Sequence, residues 1–172
     1  MKDSLNFILS RRSIRQYADQ PVELEKITGL LKCAMSAPSA CNQQPWHFII
    51  IENAGVKQKI SEIHSGFSMV KDAPAVILVC AEPGAAQLEF FCRQDCSAAT
   101  ENILIAANTL GLGAVWLGIN PAGGEDSDIL RGVLGIPANI YPFALIPVGY
   151  PAESKPAADR FNIDRVHYNS NW

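Results

Sequence analysis

The chain of 172 residues predicts one sandwich of helices and strands, α+β or α/β in class. Two patterns carry that expectation. Segments with helical and strand-like periods alternate along the chain, and the first third is rich in helix. Short apolar runs at 48–51, 75–80, 114–119 and 143–148 have the length of buried strands. Apolar residues make up 48% of the chain, enough for a sizeable core and too many for a disordered polymer.

The elements follow in order. Residues 3–10 place Leu5, Ile8 and Leu9 on one helical stripe, with Asp3 or Ser4 as a cap. Residues 23–36 repeat that pattern through Leu24, Ile27, Leu30, Leu31, Ala34 and Met35, and Glu23 and Glu25 favour the N-terminal end. Pro38 stops this helix, because its ring excludes the α region for the residue before it. The stretch Ala37–Ile51 then sets an amide-rich turn (Ser39, Asn42, Gln43, Gln44) before an apolar strand read as covered on both faces. Such a turn is a good place to hold a planar polar heterocycle, but composition alone favours an ordinary loop whose amides cap its neighbours. A short helix is expected at 56–63, a strand at 75–80, and a helix capped by Asp95 that runs to Leu110 and stops at Gly111. That helix has apolar residues on more than one side, as for a core or a second subunit. A strand within 114–119, a helix from Ser127 or Asp128 to Gly135, and a strand at 143–148 complete the domain. The segment 150–172 has no apolar period, yet it carries Phe161, Val166, Tyr168 and Trp172. It is expected to lie across another surface.

Composition removes several functions. The net charge of −3 offers no attraction to nucleic acid or to an anionic membrane. No apolar run is long enough to span a bilayer, and residues 5–9 are too short for a secretory leader. The five cysteines (Cys33, Cys41, Cys80, Cys92, Cys96) have no disulfide-scaffold spacing and are expected as reduced thiols in the cytoplasm. Cys92 and Cys96 lie four apart without further ligands, so they read as small buried residues and no metal site is expected. No nucleophile–His–carboxylate set and no glycine-rich dinucleotide loop is present. Chemistry would therefore come from a bound cofactor. Arg11, Arg12, Ser13 and Arg15 combine forked donors with a hydroxyl, a mixture suited to a phosphate monoester. A solvated basic surface is the alternative.

Taken together, Arg11–Arg15, the run from Ala37-Pro38-Ser39 to Gln44-Pro45-Trp46-His47-Phe48, the 95–113 helix and Gly149-Tyr150-Pro151 resemble the nitroreductase family of FMN-dependent oxidoreductases. The motifs occur in the family's order over nearly the whole chain. The resemblance implies an α+β sandwich with a central, mostly antiparallel sheet, built as an intertwined homodimer with flavin at the interface. It makes 1–172 one FMN-binding domain and 150–172 a tail docking on the partner subunit. It assigns Arg11, Arg12, Ser13 and Arg15, with Arg160 from the tail, to the FMN phosphate and ribityl chain. Pro38, Ser39, Ala40, Asn42 and Gln44 of the other subunit would face the isoalloxazine ring, and Leu117 and Gly118 its N5 edge. Ala40 and Cys41 replace hydroxyl residues frequent in the family, and Ala158 stands where some relatives carry a lysine, for which Lys155 could compensate. Cys41 is expected as structural filler.

The activity implied is transfer of hydride from NADH or NADPH through FMN to a nitroaromatic, quinone or similar small acceptor, with no catalytic side chain of the protein's own. The alternative is a flavin-binding sensor or store without general turnover.

Overall fold

The computed structural model describes residues 2–120, 124–156, 158–169 and 172. Five strands form an antiparallel sheet: β1 (Trp46–Ile51), β2 (Ala75–Ala81), β3 (Gly113–Ala114), β4 (Leu117–Gly118) and β5 (Tyr141–Gly149). The order across the sheet is β1-β2-β5-β3, and β4 also pairs with β5. Trp46 faces Ala81 across the first pair, Ala81 faces Tyr141 across the second, and Ala114 faces Val148 across the third. The expected strand within 114–119 is thus two two-residue strands against the same partner, separated by Val115 and Trp116.

Strand alternation divides the core into two layers. Ala75, Ile77, Val79, Ala144, Ile146 and Val148 point to one face, where α2 (Leu24–Met35) and α4 (Cys92–Thr109) cover them. Val76, Leu78, Cys80 and Leu145 point to the other, under α3 (Ala54–Ile63) and α5 (Glu125–Leu134). β2 is buried at every position, as its unbroken apolar run predicts. β1 differs from expectation. It is an edge strand whose Phe48, Ile49 and Ile50 remain half-buried, because helices cover the centre of the sheet more fully than its margin.

Helix ends follow local chemistry. Asn53 caps α3 by accepting the Val56 amide at 3.0 Å, and Gly135 ends α5 in the left-handed region at φ 65°. Two expected caps are corrected. α1 spans Lys2–Leu9, so Asp3 and Ser4 lie inside it. α4 begins at Cys92 with Phe91 before it, which leaves Asp95 in its first turn with a carboxylate free for another task. α4 is buried on one side and half-buried on Glu101, Asn102, Ile105 and Asn108.

Candidate functional site

The arginine-rich segment is stitched to the β3 margin of the sheet. The Ile14 amide donates to the Ala114 carbonyl at 3.0 Å, Ala18 to Tyr150 at 2.8 Å, and Ala152 to Gln16 at 2.9 Å. The Tyr17 hydroxyl, on a half-buried ring, donates to the Ile14 carbonyl at 2.7 Å and lies 3.2 Å from that of Pro147; partial burial raises its pKa, so it stays a neutral donor. Close approach depends on glycine twice. A Cβ on Gly113 would meet Ile14 Cγ2 at 2.6 Å, and one on Gly149 would meet Pro74 Cδ at 2.6 Å.

Beside this segment lies a cavity of about 210 Å³ lined by Arg11, Arg12, Leu104, Asn108, Glu153 and Lys155, among others. Arg12 donates through Nε to the Pro156 carbonyl at 2.8 Å and through Nη1 to the carbonyls of Leu9 and Arg11 at 3.1 and 2.5 Å. Its Nη2 is buried with no hydrogen-bond partner among the described residues. A buried donor without an acceptor costs about 1–3 kcal/mol, which an anion in the cavity would remove. Lys155 donates to the Ser13 carbonyl at 2.5 Å and pairs with Glu153 at 3.2 Å. The Glu153 carboxylate accepts the Arg15 amide at 2.5 Å and the Gln16 amide at 3.3 Å. Its negative charge is thus engaged by backbone donors and Lys155; Arg11 pairs with Glu101 at 3.5 Å, and Arg12 faces no carboxylate among the described residues, so the corner keeps a net positive charge. Arg15 is exposed.

The amide-rich loop lies elsewhere. Ala40–Asn42 form one short 3₁₀ turn before β1, with Cys41, Asn42 and Gln44 all left-handed, at φ 49°, 54° and 47°. The Ser39 hydroxyl accepts the Gln44 amide at 3.1 Å, and Gln44 Nε2 donates to Asn42 Oδ1 at 3.0 Å. Pro38, Asn42 and Gln44 are exposed, and Ser39 and Ala40 are half-buried. Cys41 is exposed too, which corrects its expected role as structural filler.

The structure therefore gathers Arg11, Arg12, Ser13 and Lys155 at one corner and Pro38, Ser39, Ala40, Asn42 and Gln44 at the diagonal one. The β1 margin is three strand spacings from the β3 margin, roughly 14 Å. Tyr141, level with Trp46, lies roughly 24 Å along β5 from Val148, level with Ala114. α4 spans the same diagonal. Asp95 near its start accepts the Ala40 amide at 2.9 Å, and Asn108 near its end donates to Ser10 Oγ at 2.8 Å.

Leu117 is buried and Gly118 exposed, and a Cβ on Gly118 would meet nothing within 4 Å, so its backbone is open to a flat ligand. Arg160 is exposed and does not line the cavity; every described residue from Ala158 to Asn169 is exposed. Pro121–Gly123, Ala157, Ser170 and Asn171, which belong to an expected loop and to the tail, lie outside the described residues. Among the described residues no cluster of His, Cys, Asp and Glu could hold a metal, and no helix is long and apolar enough to cross a membrane. Sequence reasoning placed Gln43 in the amide-rich turn and Asp95 at a helix start without joining the two, and it missed Glu153. Asp95 gave a signal, a carboxylate at a helix start, that pointed to capping.

The model of the nitroreductase family matches residues 8–88 and 64–150. The chain belongs to the nitroreductase family. A protein of Archaeoglobus fulgidus, provisionally named an NADH dehydrogenase/NAD(P)H nitroreductase, is 47% identical over 97% of this chain and 98% of its own length. The solved FMN-dependent nitroreductase of Clostridium difficile superposes with a TM-score of 0.89 at 29% identity, covering 97% of this chain and 99% of that one. A nitroreductase structure from Desulfovibrio desulfuricans in complex with FMN superposes with a TM-score of 0.81 at 30% identity, over 98% and 96% of the two chains. FMN stands in two of these names and NAD(P)H in one, in agreement with the enzyme class, cofactor and reductant that the motifs imply.

Proposed function

We propose that this chain is an NAD(P)H-dependent FMN oxidoreductase whose flavin site is completed by a second copy of itself. The observation that carries the reading is the diagonal separation of the two half-sites. The cavity at the arginine corner holds about 210 Å³, room for a phosphate and the start of a ribityl chain but less than the roughly 300–1,000 Å³ of sites that enclose a whole ligand. The ring must then be walled by other atoms, and the exposed, conformationally fixed Pro38–Gln44 loop of a partner supplies them. In a two-fold dimer each copy gives one corner to each site. The half-buried β1 margin and the exposed tail with Phe161, Tyr168 and Trp172 support an extensive interface between copies. Segment 150–172 lies across the partner in this arrangement. The five unpaired thiols support a reducing compartment, the cytoplasm.

FMN when bound supplies the hydride chemistry, with NADH or NADPH as reductant and a nitroaromatic, quinone or similar molecule as acceptor. The chain's own residues hold and orient. Arg11 and Arg12 match a phosphate of about −1.5 to −2 charge with forked donors, and the unpaired Arg12 Nη2 fits that anion. Ser13 and Arg15 lie at the same corner, and Arg160, outside the cavity in the single chain, is assigned to the phosphate once the tail is docked in the dimer. Pro38, Ser39, Ala40, Asn42 and Gln44 seat the ring, and the open backbone of Leu117–Gly118 faces its reactive edge. Orientation of two successively bound substrates against one surface is the protein's main contribution to rate.

The test is an absorption spectrum of freshly purified protein followed by anaerobic addition of NADH or NADPH. Flavin bands that bleach and return on adding a quinone support the reading. Bands that persist at saturating NADH and NADPH leave a flavin store, and a colourless protein that takes up no added FMN rejects the site.

A further inference from the structure

We infer that Asp95 and Gln43 form a positioning brace that holds the ring-facing loop in its strained shape and joins it to the segment before α4. This rests on the flavin reading for its purpose but not for its geometry. Three non-glycine residues of the loop, Cys41, Asn42 and Gln44, are left-handed. Each such residue is strained, and a cluster persists only where surrounding contacts over-determine it. The bonds inside the loop, from the Gln44 amide to Ser39 Oγ, from Gln44 Nε2 to Asn42 Oδ1, and from the Asn42 and Gln43 amides to the Ser39 and Ala40 carbonyls, shape the turn without tying it to the rest of the fold.

The restraint comes from α4. Asp95 is 4% exposed, and its carboxylate accepts the Ala40 amide through Oδ1 at 2.9 Å and Gln43 Nε2 through Oδ2 at 2.6 Å. Gln43 then closes a second ring of contacts. Its Nε2 donates to the Leu88 carbonyl at 3.1 Å, and its Oε1 accepts the Leu88 amide at 2.8 Å. One side chain thus fixes the loop to the helix and to the connection that leads into it. A buried carboxylate without these donors would be costly, so the two residues enforce one another. Asp95 and Gln43 touch no reacting atom in this account. They set the position of those that do.

The pair can be tested by exchanging its polarity. Asp95→Asn leaves one oxygen where the Ala40 amide and Gln43 Nε2 both need an acceptor, and Gln43→Glu puts a carboxylate against Asp95; each removes at least one of the two bonds. The double variant restores a donor on the helix and an acceptor on the loop that still receives the Leu88 amide, but it loses the bond to the Leu88 carbonyl, so recovery is partial. The readouts are amide hydrogen exchange at Ala40 and Leu88 in flavin-free protein, and FMN affinity from quenching of flavin fluorescence. Each single variant is expected to speed exchange at Ala40 and to weaken FMN binding about tenfold, and the double variant to recover affinity to within about fivefold of the parent. Parent-like exchange in both single variants, or a double variant no better than the worse single, overturns the brace. Gln43→Ala, at a half-buried position, repeats the exchange test if Asp95→Asn does not fold, and parent-like protection at Ala40 and Leu88 would again overturn it. If the parent protein itself takes up no FMN, the flavin reading fails while the exchange arm still decides the brace.

Discussion

Arg12 and Pro156, 144 residues apart, are joined by a hydrogen bond of 2.8 Å from the guanidinium Nε to the carbonyl oxygen. The contact ties the first loop of the chain to the start of its exposed tail. It also spends one edge of the guanidinium on the backbone and leaves Nη2 buried and unpaired. Arg12→Lys removes the fork and cannot serve three carbonyls and a phosphate together. FMN affinity, read by fluorescence titration, is expected to fall about tenfold in Arg12→Lys and further in Arg12→Ala.

The same corner needs a glycine. A Cβ at residue 113 would press on Ile14 at 2.6 Å, and Ile14 is held by its own bond to Ala114. Gly113→Ala is expected to lower stability by about 1–3 kcal/mol and to weaken FMN binding by displacing Ser13. Thermal unfolding of the flavin-free protein measures the first effect. Gly118→Ala is a control for the stability of the flavin-free protein alone, because nothing in the chain lies within 4 Å of its added carbon.

Thiol reactivity follows burial. Cys33 and Cys41 are exposed, while Cys80, Cys92 and Cys96 are buried. Burial pushes the Cys80 thiol up to about 12 and raises Cys92 and Cys96 as well, which suppresses the reactive thiolate. Labelling of native protein with a maleimide, read by mass spectrometry, is expected to modify Cys33 and Cys41 in the isolated chain and spare the others until denaturant is added. Protection of Cys41 by FMN would place it beside the bound ring.

Acid should loosen the arginine corner. The Arg15 amide holds the Glu153 carboxyl below its ordinary value of 4.5, with Lys155 adding to the effect. A depressed carboxyl pKa contributes stability that is complete above the unfolded value and lost as pH falls through the folded one. The Tm gap between the parent and Glu153→Gln is therefore expected to be widest near neutrality and to close below pH 4.5. Calorimetry across that range checks the sign.

Much of this arrangement was legible in the residues. The strand of Ala75–Ala81 is buried at every position and announces itself as an unbroken apolar run. The stripe of Ile27, Leu30 and Ala34 gives α2, and Gly135 gives the end of α5. Edge status is another matter. Phe48–Ile51 is as apolar as a central strand, and only the pairing order reveals that β1 lies at the margin. The strand within 114–119 broke into two because its pairing with β5 is interrupted at Val115 and Trp116. At the candidate site, Arg11 to Arg15 could be read from side-chain chemistry alone. Asp95 could not, because a carboxylate near a helix start looks like a cap, and its real partners lie 52 and 55 residues away. Glu153 was silent for the same reason, accepting amides from residues more than a hundred positions distant.

The claim on which the account turns is that one flavin site draws its arginines from one copy and its ring loop from another. Mixed dimers test it most directly. One chain carries Arg12→Ala and the other carries Asn42→Ala with Gln44→Ala, each pure variant having lost FMN. The account predicts that the mixed dimer regains one working site of its two, because one corner pair is wholly intact. A mixed dimer that binds no FMN would mean both corners come from a single chain, and would contradict it.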